Sequence, residues 1–215
     1  MKRLKALFTL VSLLASATAP ASDWTLGASL GIANGETGTR EINRQLSDSA
    51  LDAHASSSDD NRSAWQIRLG YALNPHWGVE LGYVDLGDVE TTFSGSASDI
   101  DSFLSASSDI HPNTADGLLL SGVYRHPLGG LTELNGVVRA GAFAWSSEYR
   151  LDGVTTSRTV DESGTGFSFG LGMELGLAQM SEAAAALTLQ LDWNRFGIDG
   201  EHIDLFSIGL SHRFK

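Results

Sequence analysis

Bulky apolar residues recur at every second position in one segment of this chain after another. The clearest case is 167–177, where Phe167, Phe169, Leu171, Met173, Leu175 and Leu177 alternate with Ser168, Gly170, Gly172, Glu174 and Gly176. Successive side chains on a strand point to opposite faces, so a period of two predicts a strand with one apolar face and one small or polar face. The same rhythm runs through 24–32, 65–73, 77–83, 187–194 and the closing stretch 206–214.

Two further strands are less regular. In 117–125 the triplet Leu118-Leu119-Leu120 interrupts the alternation; Leu118, Leu120 and Tyr124 are assigned to the apolar face, Ser121 and Arg125 to the other. In 137–149, Arg139, Gly141, Phe143, Trp145 and Tyr149 share one parity and Ala140, Ala142 and Ala144 the other. The aromatics argue that the first set is on the outer face and Arg139 argues the reverse, so this facing stays open.

The count is eight strands, and their connections alternate in length. Those near 34–63, 88–115 and 150–164 are long, those at 74–76, 127–134 and 179–184 are short, and a final loop is expected at 197–202. A soluble sheet would turn its apolar face inward, yet the opposite face here holds too much glycine and serine for a good solvated surface. The apolar faces are also flanked by aromatics, with Trp24, Trp65, Trp77, Trp145 and Trp193 all near strand ends. An apolar outer band between aromatic girdles, around a polar interior, describes a transmembrane β-barrel. Each strand is expected to have the ~9–11 residues that cross a bilayer at a tilt. The expected fold is therefore all-β, an eight-stranded antiparallel up-and-down transmembrane barrel. A soluble lipocalin-like barrel, also of eight strands, is the alternative.

The N-terminus adds an export signal. Lys2, Arg3 and Lys5 precede the apolar run 6–14, and small residues follow up to Ala19-Pro20-Ala21. This is the charged, apolar and cleavage-site order of a signal peptide, with the cut expected after Ala21, since a cut after Ala19 would leave proline first. Residues 1–21 are thus expected to be removed and 22–215 to form one barrel domain. The expected mature chain keeps 11 Lys and Arg against 26 Asp and Glu, which makes nucleic acid an implausible partner. With no cysteine, neither disulfides nor thiolate metal sites can form. No cofactor or metal is expected.

Candidate chemistry lies inside the barrel and in the loops. The interior of eight strands is just wide enough to be filled by side chains. Arg68, Glu80, Arg125, Glu174 and Asp192, with Gln190, fall on the inward parity. Buried charges must pair, so they are expected to form a lumen salt-bridge network. The long loops carry Glu36, Glu41, Asp48, Asp52, Asp59, Asp60 and then Asp88, Glu90, Asp99, Asp101 and Asp109, without the spacing of a calcium loop. They are expected to be solvated, or to touch lipopolysaccharide or another surface ligand. An acyl hydrolase would need a serine and histidine in reach with an orienting acid, and no spacing fixes such a set. The chain is expected not to be an enzyme.

The segments 79–89 (VELGYVDLGDV), 139–145 (RAGAFAW), 164–175 (GTGFSFGLGMEL) and 202–214 (HIDLFSIGLSHRF) resemble, in that order, the barrel domain of the outer-membrane protein A family. The resemblance covers essentially the whole expected mature chain. It implies a monomeric barrel in the Gram-negative outer membrane, embedded in lipid and lipopolysaccharide, with extracellular loops and periplasmic turns. It also implies recognition by the barrel-assembly machinery through the terminal signature Leu210, His212 and Phe214. In that signature His212 stands where the family usually has another aromatic, and Lys215 follows the phenylalanine. Family members often carry a peptidoglycan-binding domain, which is not expected here. The reading is a non-catalytic outer-membrane barrel serving envelope integrity or surface interaction. The alternatives are a small porin or, further off, an enzyme acting on lipid A.

Overall fold

A computed structural model describes residues 23–35, 52–57, 61–87, 91–96, 115–129, 133–152, 157–178, 184–198 and 200–214. The strands are β1 (Trp24–Gly35), β2 (Asp52–Ser57), β3 (Asn61–Ala72), β4 (Trp77–Asp85), β5 (Thr91–Ser96), β6 (Asp116–Pro127), β7 (Leu134–Asp152), β8 (Ser157–Gly176), β9 (Leu187–Ile198) and β10 (Glu201–Arg213). Eight of them close an antiparallel barrel in the order β1-β10-β9-β8-β7-β6-β4-β3. Strands β2 and β5, which lie in the two long connections, pair with each other as a separate two-stranded sheet. The expected signal peptide, most of the acidic loop residues and Lys215 lie outside the described residues.

Closure is set by the register. Following direct cross-strand partners once round the ring from Met173 returns to β8 at Ser163, ten residues away. Eight strands with that offset tilt by about 40°, taking ~3.3 Å per residue and ~4.8 Å between strands. Every backbone donor along the shared ladders is then satisfied without a free edge, the condition for crossing lipid. Among the described residues no helix is long and apolar enough to cross a membrane; strands form the wall.

The alternation read from the sequence appears as exposure. Leu30, Ile32, Leu81, Leu118, Leu120, Phe167, Phe206, Ile208 and Leu210 stand on the outer surface, while Ser29, Gln66, Ser121, Ser168, Asn194, Ser207 and Ser211 are buried inside. At one end lie both strand termini Trp24 and Arg213 and the short turns. In the 73–76 turn the Asn74 carboxamide oxygen accepts from the backbone N–H of His76 and of Trp77, both at 2.9 Å. An asparagine bonding its own turn, followed by Pro75, fixes that reversal locally.

Two connections differ from expectation. The 150–164 segment is not a loop, because β7 and β8 stay paired as far as Asp152 and Ser157. Their hairpin projects past its neighbours, since pairing with β6 stops at Ser146 and with β9 at Ser168. The residues there do not alternate bulky and small, so the periodicity was silent. The 197–202 connection is also short: β9 ends at Ile198 and β10 begins at its partner Glu201, with Gly200 between them at φ 85°. Asp-Gly is a strong two-residue hairpin signal, because glycine reaches positive φ without strain.

Candidate functional site

Six consecutive barrel strands, β3, β4, β6, β7, β8 and β9, aim long charged side chains at the lumen. At the short-turn half they supply Arg68, Glu80, Arg125, Arg139, Glu174 and Asp192, three cations against three carboxylates; a fourth buried arginine, Arg62 on β3, lies nearer the long connections. Arg139 is the hub. Its Nε lies 2.8 Å from Glu80 Oε2, its Nη1 2.7 Å from Asp192 Oδ1 and its Nη2 3.2 Å from Glu174 Oε1. Arg125 bridges the same two glutamates, at 2.7 Å from Glu80 Oε1 and 2.8 Å from Glu174 Oε2. Arg68 pairs with Asp192 and donates to Gln190 Oε1 at 3.1 Å. Gln190 in turn donates to Glu174 at 3.2 Å. The structure thus brings together all five residues singled out for the network, and adds Arg139 at its centre.

Arg139 settles the facing of β7. Its side chain is only 3% exposed and shares every contact with buried acids, so its parity points inward. Phe143 and Trp145 therefore point inward too, and the alanines between them face outward. Trp145, expected in the aromatic girdle, is a correction: at 7% exposure it lies among buried apolar side chains. The physical reason is that an arginine with three carboxylates in reach cannot be turned to lipid, and strand geometry carries its parity mates along. The other four tryptophans face outward. Trp24 packs on Tyr71 and Trp77 on Tyr124 at the short-turn end, each with ring centroids 4.9 Å apart. At the opposite end the Trp65 indole donates to Asp85 at 3.0 Å, and the Trp193 ring lies under the Arg195 guanidinium.

The inner face is rich in glycine because charged chains must cross it. A Cβ on Gly172 would lie 2.0 Å from Asp192 Oδ1, and one on Gly82 would lie 3.2 Å from Arg68 Cγ. The opposite wall, β10 and β1, contributes small residues such as Ser207, Ser211, Ser29 and Gly27. This is why the sequence pairs a bulky outer face with a small inner one: the interior volume is taken up by six long side chains.

A second layer was not foreseen. Val84, Leu86, Leu119, Phe143, Phe196, Ile198, Ile203 and Leu205 form a dry cluster inside the barrel with Ala33, Ala64, Ala115 and Trp145. On each strand carrying both kinds, the apolar residues lie nearer the end of the long connections than the residue of the charged network does; Arg62, also buried, lies beside the cluster at that end. Phe143 and Phe196 meet with centroids 5.0 Å apart and planes at 56°. The available signal was parity: Leu119, Phe196 and Leu205 each occupy an inward position of a strand whose facing is otherwise clear.

At the chain's end, Leu210 is exposed on the outer wall and the His212 ring meets Phe214 edge-on at 5.1 Å. The histidines are dispersed: His76 at a short turn contacts the Arg125 carbonyl at 3.1 Å through Nδ1, His126 stacks with Tyr124, and His202 lies at the other end on β10.

Comparison with known proteins gives these features a family. The model of the outer membrane protein beta-barrel domain matches residues 5–214. Neisserial surface protein A is similar in structure at 12% identity and a TM-score of 0.51, covering 91% of this chain and 100% of that one. The N-terminal β-barrel domain of Pseudomonas aeruginosa OprF is similar at 9% identity and 0.48, covering 90% and 98%. OprG of the same organism gives 11% and 0.48, covering 89% and 95%. Among curated protein sequences, none matches. With an apolar belt outside, a cross-linked charged network inside and a family match over nearly its full length, the chain belongs to the outer membrane protein β-barrel domain family and is a barrel of the Gram-negative outer membrane.

Proposed function

We propose that this protein is a closed, non-catalytic barrel that serves envelope structure and surface contact, with its long connections facing outward. The observation that carries the reading is the double filling of the lumen. Three arginines and three carboxylates are cross-linked across the short-turn half, and a buried aromatic and aliphatic cluster, with Arg62 beside it, occupies the other half. Ion conduction would require a hydrated path, and dry apolar constrictions exclude water. The reading is tested in planar bilayers: purified protein should give no steady conductance above background. Reproducible open steps from the unaltered chain would favour a small porin instead.

Residues 1–21 are the export signal in this reading, so protein recovered from outer membranes should begin at Ser22 on N-terminal sequencing. Retention of Met1 would refute the cleavage. The barrel-assembly machinery would meet the outward Leu210 and the His212–Phe214 pair. Lipid and lipopolysaccharide surround the wall, and any surface ligand would be met by the segments beyond the rim.

A further inference from the structure

The outer wall of a barrel is convex, yet across β8, β9, β10 and β1 it holds a depression of about 660 Å³. Its lining includes a row of direct cross-strand neighbours, Met173, Leu191, Ile208 and Leu30. Two residues further toward the long connections the row turns aromatic, with Trp193 beside Phe206. Two residues beyond that it turns polar: Arg195 beside Asp204, and Asp204 beside Asn34. Apolar, aromatic and charged levels therefore succeed one another over four residues of one strand, the order of acyl chains, interface and headgroups.

Arg195 is held ready at that boundary. Its Nε and Nη2 each donate to Asp204 at 2.7 Å, and its guanidinium lies over the Trp193 ring, 5.5 Å from the centroid. A guanidinium has five N–H donors in a fixed fork. Asp204 occupies one edge, which leaves the Nη1 edge for an acceptor, and a side chain 46% exposed lets one approach. Of the outward charged groups described near this rim, Asp85, Asp116, Asp161 and Asp204 are acids and His202 is an imidazole, so Arg195 is the permanent cation that an anion would meet.

We propose that this wall binds one phosphorylated glycolipid of the outer leaflet, with an acyl chain in the groove and a phosphate on Arg195. The inference rests on the outer-membrane reading with the long connections outward. Two features select a lipid over a protein partner: the groove lies within the bilayer-facing band, and its charged end presents an arginine, paired with Asp204 on one edge and open on the other, above hydrocarbon. Arginine meets phosphate through paired N–H donors, which gives the site geometry as well as charge.

The test is native mass spectrometry of the folded barrel in neutral detergent, loaded with bisphosphorylated lipid A, its dephosphorylated form or phosphatidylglycerol. One lipid A per barrel should be retained. Dephosphorylated lipid, and Arg195→Gln with the phosphorylated one, should each bind about tenfold or more weaker, the value of a charge-assisted pair. Asp204→Asn should bind tighter, because the competing carboxylate is gone. Leu191→Trp, which fills the groove without touching Arg195, should also weaken retention. Equal binding by Arg195→Gln, or by phosphatidylglycerol, overturns the site. A barrel that shows the folded gel shift and inserts into vesicles but retains no lipid A sinks this inference alone; one that never inserts sinks the outer-membrane reading with it.

Discussion

Replacing Arg139 by leucine is expected to cost more stability than the loss of any other charged residue in the lumen network. The substitution removes three charge-assisted contacts and leaves Glu80, Glu174 and Asp192 facing two arginines. The deficit is one buried negative charge. Breaking a buried ion pair from one side costs about 3–5 kcal/mol, against a total of about 5–15 kcal/mol for a folded domain. The mutant should therefore unfold at clearly lower urea concentration in micelles, with the folded fraction read from mobility on unboiled gels. Removing one carboxylate as well restores the balance, so Arg139→Leu with Asp192→Asn should recover part of the loss. Recovery has a limit, because Arg68 also pairs with Asp192. A loss below about 1 kcal/mol for Arg139→Leu would mean that the acids are solvated, as exposed ion pairs are, and the short-turn half of the lumen could no longer be regarded as sealed.

Arg139 also marks how far the sequence could be read. Strands 167–177 and 206–214 were legible because their outer faces are bulky and their inner faces nearly all Ser and Gly. On β7 the rule inverts: Ala140, Ala142 and Ala144 are outside and Phe143 and Trp145 inside. Size alone misplaces Trp145, whereas charge places it, because lipid tolerates an alanine but not an arginine with buried partners. The inward acids and arginines could be named from parity, but the hub could not be distinguished from its neighbours, since which side chains meet depends on the ten-residue offset of the ring. The Asp199-Gly200 turn was written in the sequence in two residues, and a count of loop lengths alone overlooked it. The paired β2 and β5, by contrast, bring together segments far apart in the chain with no apolar rhythm to mark them.

The dry half of the lumen yields the second large effect. Phe143 and Phe196 are both fully buried and in ring contact. Truncating either to alanine should cost about 3–5 kcal/mol, the transfer loss plus the void left in walls that hydrogen-bonded strands keep from collapsing. The double variant should cost less than the two summed, because the aromatic pair, worth about 0.5–1.5 kcal/mol beyond burial, is lost once rather than twice. Unfolding midpoints of the two single variants and the double variant measure this directly. Strict additivity would mean that the rings do not share a cavity. Conductance separates the two layers further. Phe143→Ala with Phe196→Ala should stay silent in bilayers, because the arginine–carboxylate mesh still crosses the short-turn half. Arg139→Leu alone should stay silent as well, because the aromatic layer still excludes water. Only the triple variant removes both seals in series, and current from either simpler variant would show that a single layer had been carrying the closure.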